Sequence, residues 1–483
     1  MFIKKSLLLV IVFNFVQVNC ICILPVTGQP FAAGTAPMGV AFSPLVNGKI
    51  FSSVTNFADT SISTYQVDTS TGVNSGVFTS VSAPVATGIG PFAVAYSPLI
   101  NNNLFVGVAN EIGSVTIYIS DLTTGALSVV GTFAAGAATK GIAFSPVING
   151  NNLLVAASNQ GDNTVSVYSV QSTTGVLTQV PGSPFVAGAE PLGIAFSPIV
   201  NGNLFAAITN VNGNTISVFS VNMGTGAFSL ISTVPLPGVL GPRSIAFSPL
   251  VSCNLFAFVP DQTDNVVITF QVNTNTGAFT QVSTAPSGLT PTAVAFSPLV
   301  NGILLSGVAN QGETSASIYN VNTNTGSLSQ LTSAGSPFAT GNVPDGLAFS
   351  PLVNQRVFFA IANGGSANIS VYKVIYAPLL LSAALNCATK TVTITGSSAD
   401  AGATISVIAD GVTVIGTGIA DALGNFSFSL PLATSNHTIT VTQTIGACTT
   451  EQSNSIAIIC SPVGPVSDLV RAIIQKYCPF LSV

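Results

Sequence analysis

The chain has 483 residues, of which 48% are apolar and only 25 are charged: ten Lys and Arg against fifteen Asp and Glu, for a net charge of -5. That length exceeds one ordinary core. A soluble domain usually carries about a quarter of its residues as charges, so this surface must be built from Ser, Thr, Asn, Gln and Gly. Ten basic residues make no cationic stripe, which excludes nucleic acid as a partner.

In chain order, residues 1–20 come first. Lys4 and Lys5 precede an apolar run from Ser6 to Phe13 that continues through Phe15 and Val18, which reads as a secretory signal peptide. Lipidation at Cys20 fits less well, because Gln17, Val18 and Asn19 stand where small residues are expected. No second apolar stretch reaches spanning length, so no membrane span is expected. Seven cysteines in an exported chain permit disulfides, while a single His and the lack of a Cys-x-x-Cys pair argue against structural zinc.

Residues 21–376 are periodic. The string Ala-Phe-Ser-Pro, once with Tyr, begins at Ala41, Ala95, Ala143, Ala195, Ala246, Ala295 and Ala348, at spacings of 48 to 54 residues. In the fourth unit Leu192 to Phe196, Leu204 to Ile208, Thr215 to Val221 and Ala227 to Val234 are β-rich runs, with turn residues at Asn201-Gly202 and Thr225-Gly226. Four short strands per unit, apolar on both faces, make a propeller blade covered by its neighbours. Gly193-Ile194-Ala195-Phe196-Ser197-Pro198 and Asp162-Asn163-Thr164-Val165-Ser166-Val167-Tyr168 resemble the lactonase-like and YVTN-type seven-bladed propellers, over about residues 21 to 376. The resemblance implies the fold and, for an active member, ionisable residues grouped on one face of the ring.

The seventh unit has no Thr-Gly turn into a fourth strand. Pro30-Phe31-Ala32-Ala33-Gly34 matches Pro184 to Gly188 and Pro337 to Gly341, which follow fourth strands, so residues 21–34 are expected to complete the last blade and remove an open edge.

From about Leu379 the repeat gives way to short alternating strands with turn signals such as Asp410-Gly411. Ala401-Gly402-Ala403-Thr404 and Gly424-Asn425-Phe426-Ser427-Phe428 resemble bacterial immunoglobulin-like domains, which implies a spacer or stalk unit outside the cytoplasm. Cys387 and Cys460 lie at one end of such a sandwich and are expected to pair; Cys253, in the Gly position of an Asn-Gly turn, is expected to stay free. Asp468 to Tyr477 has one apolar helical face. The expected fold is all-β: a signal peptide over 1–20, a seven-bladed β-propeller over 21–376, an immunoglobulin-like β-sandwich over 377–461, and a 462–483 tail with a short amphipathic helix.

No nucleophile elbow, metalloprotease helix or phosphate loop occurs, and no cofactor or metal is implied. The one His, His437, falls in the second domain and reads as a polar strand residue. The charges are more informative. The loops that lead into first strands and those joining second to third strands share one face, the top, and ten of the propeller's fifteen charges fall there. Residues just after the recurring Pro (Met38, Phe92, Lys140, Leu192, Arg243, Thr292 and Asp345) should ring the central mouth, inside a rim of carboxylates that includes Asp162, with Glu190 just ahead of Leu192. Lys140, Arg243, Asp345, Asp162 and Glu190 are therefore the candidate ligand-binding residues, against the plainer reading that loop charges are simply solvated. Asp261 and Asp264 form no calcium loop, and the Asn ending each second strand reads as turn chemistry. Lys49, Asp68, Asp121 and Arg356 are the few charges of the opposite loops. The leading functional expectation is an exported, non-enzymatic module binding a protein, glycan or small polar ligand at its top face. The alternatives are a lactonase-like hydrolase of a small ester or sugar lactone, or a surface-coat component.

Overall fold

The computed structural model describes residues 21–71, 74–236, 241–386, 389–432, 436–446 and 448–458. The signal peptide, the tail helix and the Cys387–Cys460 pair fall outside these residues. Among those described, seven antiparallel sheets each follow one unit of the repeat. In the fourth blade the strands are Pro191–Phe196, Phe205–Asn210, Thr215–Val221 and Phe228–Pro235, in sequence order.

The recurring Ser explains why Ala-Phe-Ser-Pro returns in every unit. Its hydroxyl, buried where the first strand ends, accepts the N–H that opens the second strand: Phe51 to Ser43 at 2.9 Å, Phe205 to Ser197 at 3.0 Å, Phe358 to Ser350 at 2.8 Å. It satisfies a donor that the ladder leaves unpaired in a dry interior. The turn that follows requires two left-handed residues, such as Asn201 (φ 52°) and Gly202 (φ 75°). In the fifth blade Ser252 and Cys253 fill these positions, and Cys253 is a free, exposed thiol.

The ring closes as its repeat implies. The seventh blade takes Pro344–Phe349, Arg356–Asn363 and Asn368–Ile375 from the end of the propeller and Cys22–Pro25 from its beginning, with Cys22 opposite Ile375 and Pro25 opposite Tyr372. Tyr65 Oη then donates to the Ala32 carbonyl at 2.7 Å, the same stitch between neighbouring blades that Tyr118 makes to Ala86 and Tyr319 to Pro286.

The second domain packs the sheet Leu379–Asn386, Thr391–Ser397 and Phe426–Pro431 against a sheet ordered Thr413–Ile419, Thr404–Ala409, His437–Ile445 around Val392, Ile394, Ile405, Val407, Ile439 and Val441. It seats on the bottom of the seventh blade, away from the top face. Gln443 Nε2 donates to the Tyr376 carbonyl at 3.0 Å, and Cys448 is disulfide-bonded to Cys22 on the closing strand. Arg356, one of the few charges of the opposite loops, is fully buried against Asp400 of the sandwich. A loop charge in a chain this poor in charge is spent on docking the second domain, which burial of an unpaired guanidinium would otherwise forbid.

Candidate functional site

First strands lie nearest the axis, and their first residues face it. A cavity of about 290 Å³ opens on the top face and is lined by Met38, Phe92, Lys140, Leu192, Arg243, Thr292 and Asp345, one from each blade. Beneath them runs a ring of small residues, Gly39, Ala93, Gly141, Gly193, Ser244, Ala293 and Gly346. These are small because the blades nearly touch at the axis: a methyl at Gly39 would sit 2.9 Å from the Phe92 carbonyl, and one at Gly193 would sit 2.7 Å from Ser244 Cα. Below that, Val40, Val94, Ile142, Ile194, Ile245, Val294 and Leu347 form an apolar floor.

Lys140, Arg243 and Asp345 are thus brought to one cavity, whereas Asp162 and Glu190 are not among its lining residues. Asp162 Oδ2 accepts the Ala137 N–H at 2.6 Å, and Glu190 accepts from Asn212 Nδ2 at 2.5 Å, so each braces a loop. Rim and mouth are not independent rings either. Glu111, a rim residue, turns inward and holds Lys140 Nζ at 2.5 Å, with that ammonium 4.5 Å from the centre of the Phe92 ring.

The opposite side of the mouth holds three bridged polar side chains. Gln311, the residue after the recurring Asn of the sixth blade, donates from Nε2 to Asp345 Oδ1 and accepts from Arg243 Nη1 at 3.5 Å. Burial pushes the Asp345 carboxyl up to about 6; the Arg243 charge and the Gln311 bond offset only part of that. A carboxyl that changes state near pH 6, a guanidinium and a bridging amide at the mouth of a small cavity are suited to moving a proton at a polarised carbonyl.

The recurring Asn has a larger role than turn chemistry. Asn159 accepts the Gly136 N–H at 3.1 Å and donates to Thr164 and Ser166, and is completely buried, so it staples its top hairpin to the connection from the preceding blade, as Asn56, Asn210 and Asn310 do in theirs, whereas Asn110 Oδ1 and Asn363 Oδ1 accept no such bond. The residue that follows this Asn, Glu111 in one blade and Gln311 in another, reaches the next blade's mouth residue. His437 lies far from this site, its Nδ1 2.7 Å from Asp410 Oδ2 in the sandwich.

A family profile described as a seven-bladed lactonase β-propeller matches residues 51–239 and 203–382, together most of the chain. The chain belongs to the lactonase seven-bladed β-propeller family. A second profile, the bacterial Ig domain, matches residues 381–458. In fold the lactonase-family ring is similar to a candidate 6-phosphogluconolactonase of Bacteroides uniformis, at 19% identity and a TM-score of 0.51 over 63% of this chain and 86% of that one. It is similar also to a protein of Lactobacillus plantarum, at 21% identity and a TM-score of 0.51 over 65% and 88%. A search of curated proteins found no match. Within this lactonase-family site, Gln311 is the residue that charge-based reading of the repeat passes over. Its position directly after Asn310 was the available signal.

Proposed function

We propose that this protein is a hydrolase of a small lactone or ester, working outside the cytoplasm at the axial cavity of its propeller. Family membership supports the reaction class, and one observation carries the assignment of residues: the partly buried Asp345 carboxyl, pushed up to about 6, is bridged through Gln311 to Arg243 at the mouth. As a carboxylate, Asp345 takes a proton from water as that water adds to the substrate carbonyl. Arg243 stabilises the oxyanion, and Asp345 returns the proton to the departing alkoxide as the ring opens to a hydroxy acid. The Cys22–Cys448 disulfide and the bacterial Ig domain favour an oxidising compartment, with export by the 1–20 signal segment. No helix among the described residues is long and apolar enough to cross a membrane.

A pH-stat assay of the purified protein on γ-butyrolactone, D-glucono-1,5-lactone and longer-chain lactones tests the proposal. Turnover above background that drops at least a hundredfold in Asp345→Asn is expected. Binding of a lactone without turnover would return the chain to a non-enzymatic binding module.

A further inference from the structure

The mouth is divided. Asp345, Gln311 and Arg243 occupy one arc, while Met38 and Phe92 form the wall of another. The apolar arc continues upward onto the rim. Ile89 stands three residues before Phe92 and is 64% exposed; Ile112 follows Glu111 and is 67% exposed. The two are neighbours, since the Ile112 N–H donates to the Ile89 carbonyl at 3.4 Å. The same bond joins Ala58 to Thr35, Gly161 to Ala137, Gly213 to Ala189, Gly312 to Leu289 and Gly365 to Asn342 in other blades. Among these pairs only Ile112 and Ile89 are both large and apolar. The one cation in this sector takes no free anion, because Glu111 neutralises Lys140 and Phe92 covers it.

We propose that the substrate is amphiphilic: its lactone or ester carbonyl sits between Asp345 and Arg243, and its alkyl or acyl tail lies along Phe92 and out over Ile89 and Ile112. The inference rests on the hydrolytic reading of the cavity and adds to it a substrate class. The cavity of about 290 Å³ is open on the top face, and a tail that leaves it along the Phe92 wall meets the exposed apolar surface of Ile89 and Ile112 on the rim. A phosphorylated or many-hydroxylated lactone finds there neither an unneutralised cation nor a row of hydrogen-bonding partners.

Calorimetric titration with 5-alkyl-2-pyrrolidinones, lactams that resist hydrolysis, tests the proposal on the whole protein. In the wild type the Kd should tighten by up to about fourfold for each methylene added between the methyl and hexyl members. The variant Ile89→Ser with Ile112→Ser should flatten that slope and leave the methyl member's Kd and the melting temperature unchanged. A wild-type Kd independent of chain length, a slope retained in the variant, or tighter binding of a polyhydroxylated lactam would overturn the proposal. Chain-length-dependent binding with no lactone turnover would overturn the hydrolytic reading and leave the tail site standing. Turnover with binding indifferent to the tail would overturn the tail site alone.

Discussion

Arg356 on the seventh blade and Asp400 on the sandwich form an ion pair at 2.5 Å whose side chains are only 1% and 7% exposed. Arg356→Ala leaves the buried Asp400 carboxylate without its ion-pair partner, with the Lys373 charge alone acting on it, and the expected loss is about 3–5 kcal/mol. Arg356→Met with Asp400→Leu, close in volume and free of charge, should recover most of it. Lys49→Ala, at an exposed contact on the same side of the ring, should change stability by less than about 0.5 kcal/mol. Urea unfolding of the four proteins measures all three differences.

The closing strand is held twice, by its ladder to Asn368–Ile375 and by the Cys22–Cys448 bond to the sandwich. Cys448→Ser should lower stability by about 2–4 kcal/mol and make the melting temperature less sensitive to reductant than that of the wild type. Deleting residues 21–34 removes ladder, disulfide and the Tyr65 stitch together and should give aggregation, seen as loss of the monomer peak in size-exclusion chromatography.

Burial of Asp345 at the mouth costs stability at neutral pH. Its folded-state pKa, about 6, lies above the ordinary value of 3.8, so the folded protein holds the proton more tightly than the unfolded chain. Stability from this group is therefore full below about pH 4 and is lost as pH rises through about 6. Asp345→Asn should raise stability at pH 7 by on the order of 1 kcal/mol, reduced by solvent screening, and change nothing at pH 4, as thermal melts at the two pH values will show.

The cavity floor depends on the small ring beneath the mouth. A methyl at Gly141 would be driven into the Leu192 carbonyl on the next blade, backbone that cannot swing aside. Gly141→Ala should cost about 1–3 kcal/mol in urea unfolding, although Ala is found at the equivalent Ala93 and Ala293.

How much the sequence discloses follows from which constraints are local. The blades were legible because each unit needs the same buried Ser hydroxyl, as at Ser43 and Ser197, and the closing strand because Pro30 to Gly34 keeps the pattern of Pro184 to Gly188. The mouth residues Lys140, Arg243 and Asp345 were legible from their register after the recurring Pro. The remainder depends on contacts between units. Gln311 carries no charge to mark it, and Glu111 looks like any rim carboxylate until Lys140 of the next blade is placed beside it. Arg356 sits in a loop like those exposed elsewhere, and only the docked sandwich buries it. Cys22 and Cys448 are separated by 426 residues, and no spacing rule pairs them.

The pH–rate profile of lactone hydrolysis tests the central claim, that Asp345 moves the proton at the top mouth, most directly. For wild type, log(kcat/KM) should rise with unit slope below about pH 6 and level off above it. Gln311→Leu, which removes a bond that favours the carboxylate, should shift the inflection to higher pH, and Asp345→Asn should erase the limb with its activity. An Asp345→Asn variant that keeps wild-type turnover, or a limb at the same pH in all three proteins, would contradict the account.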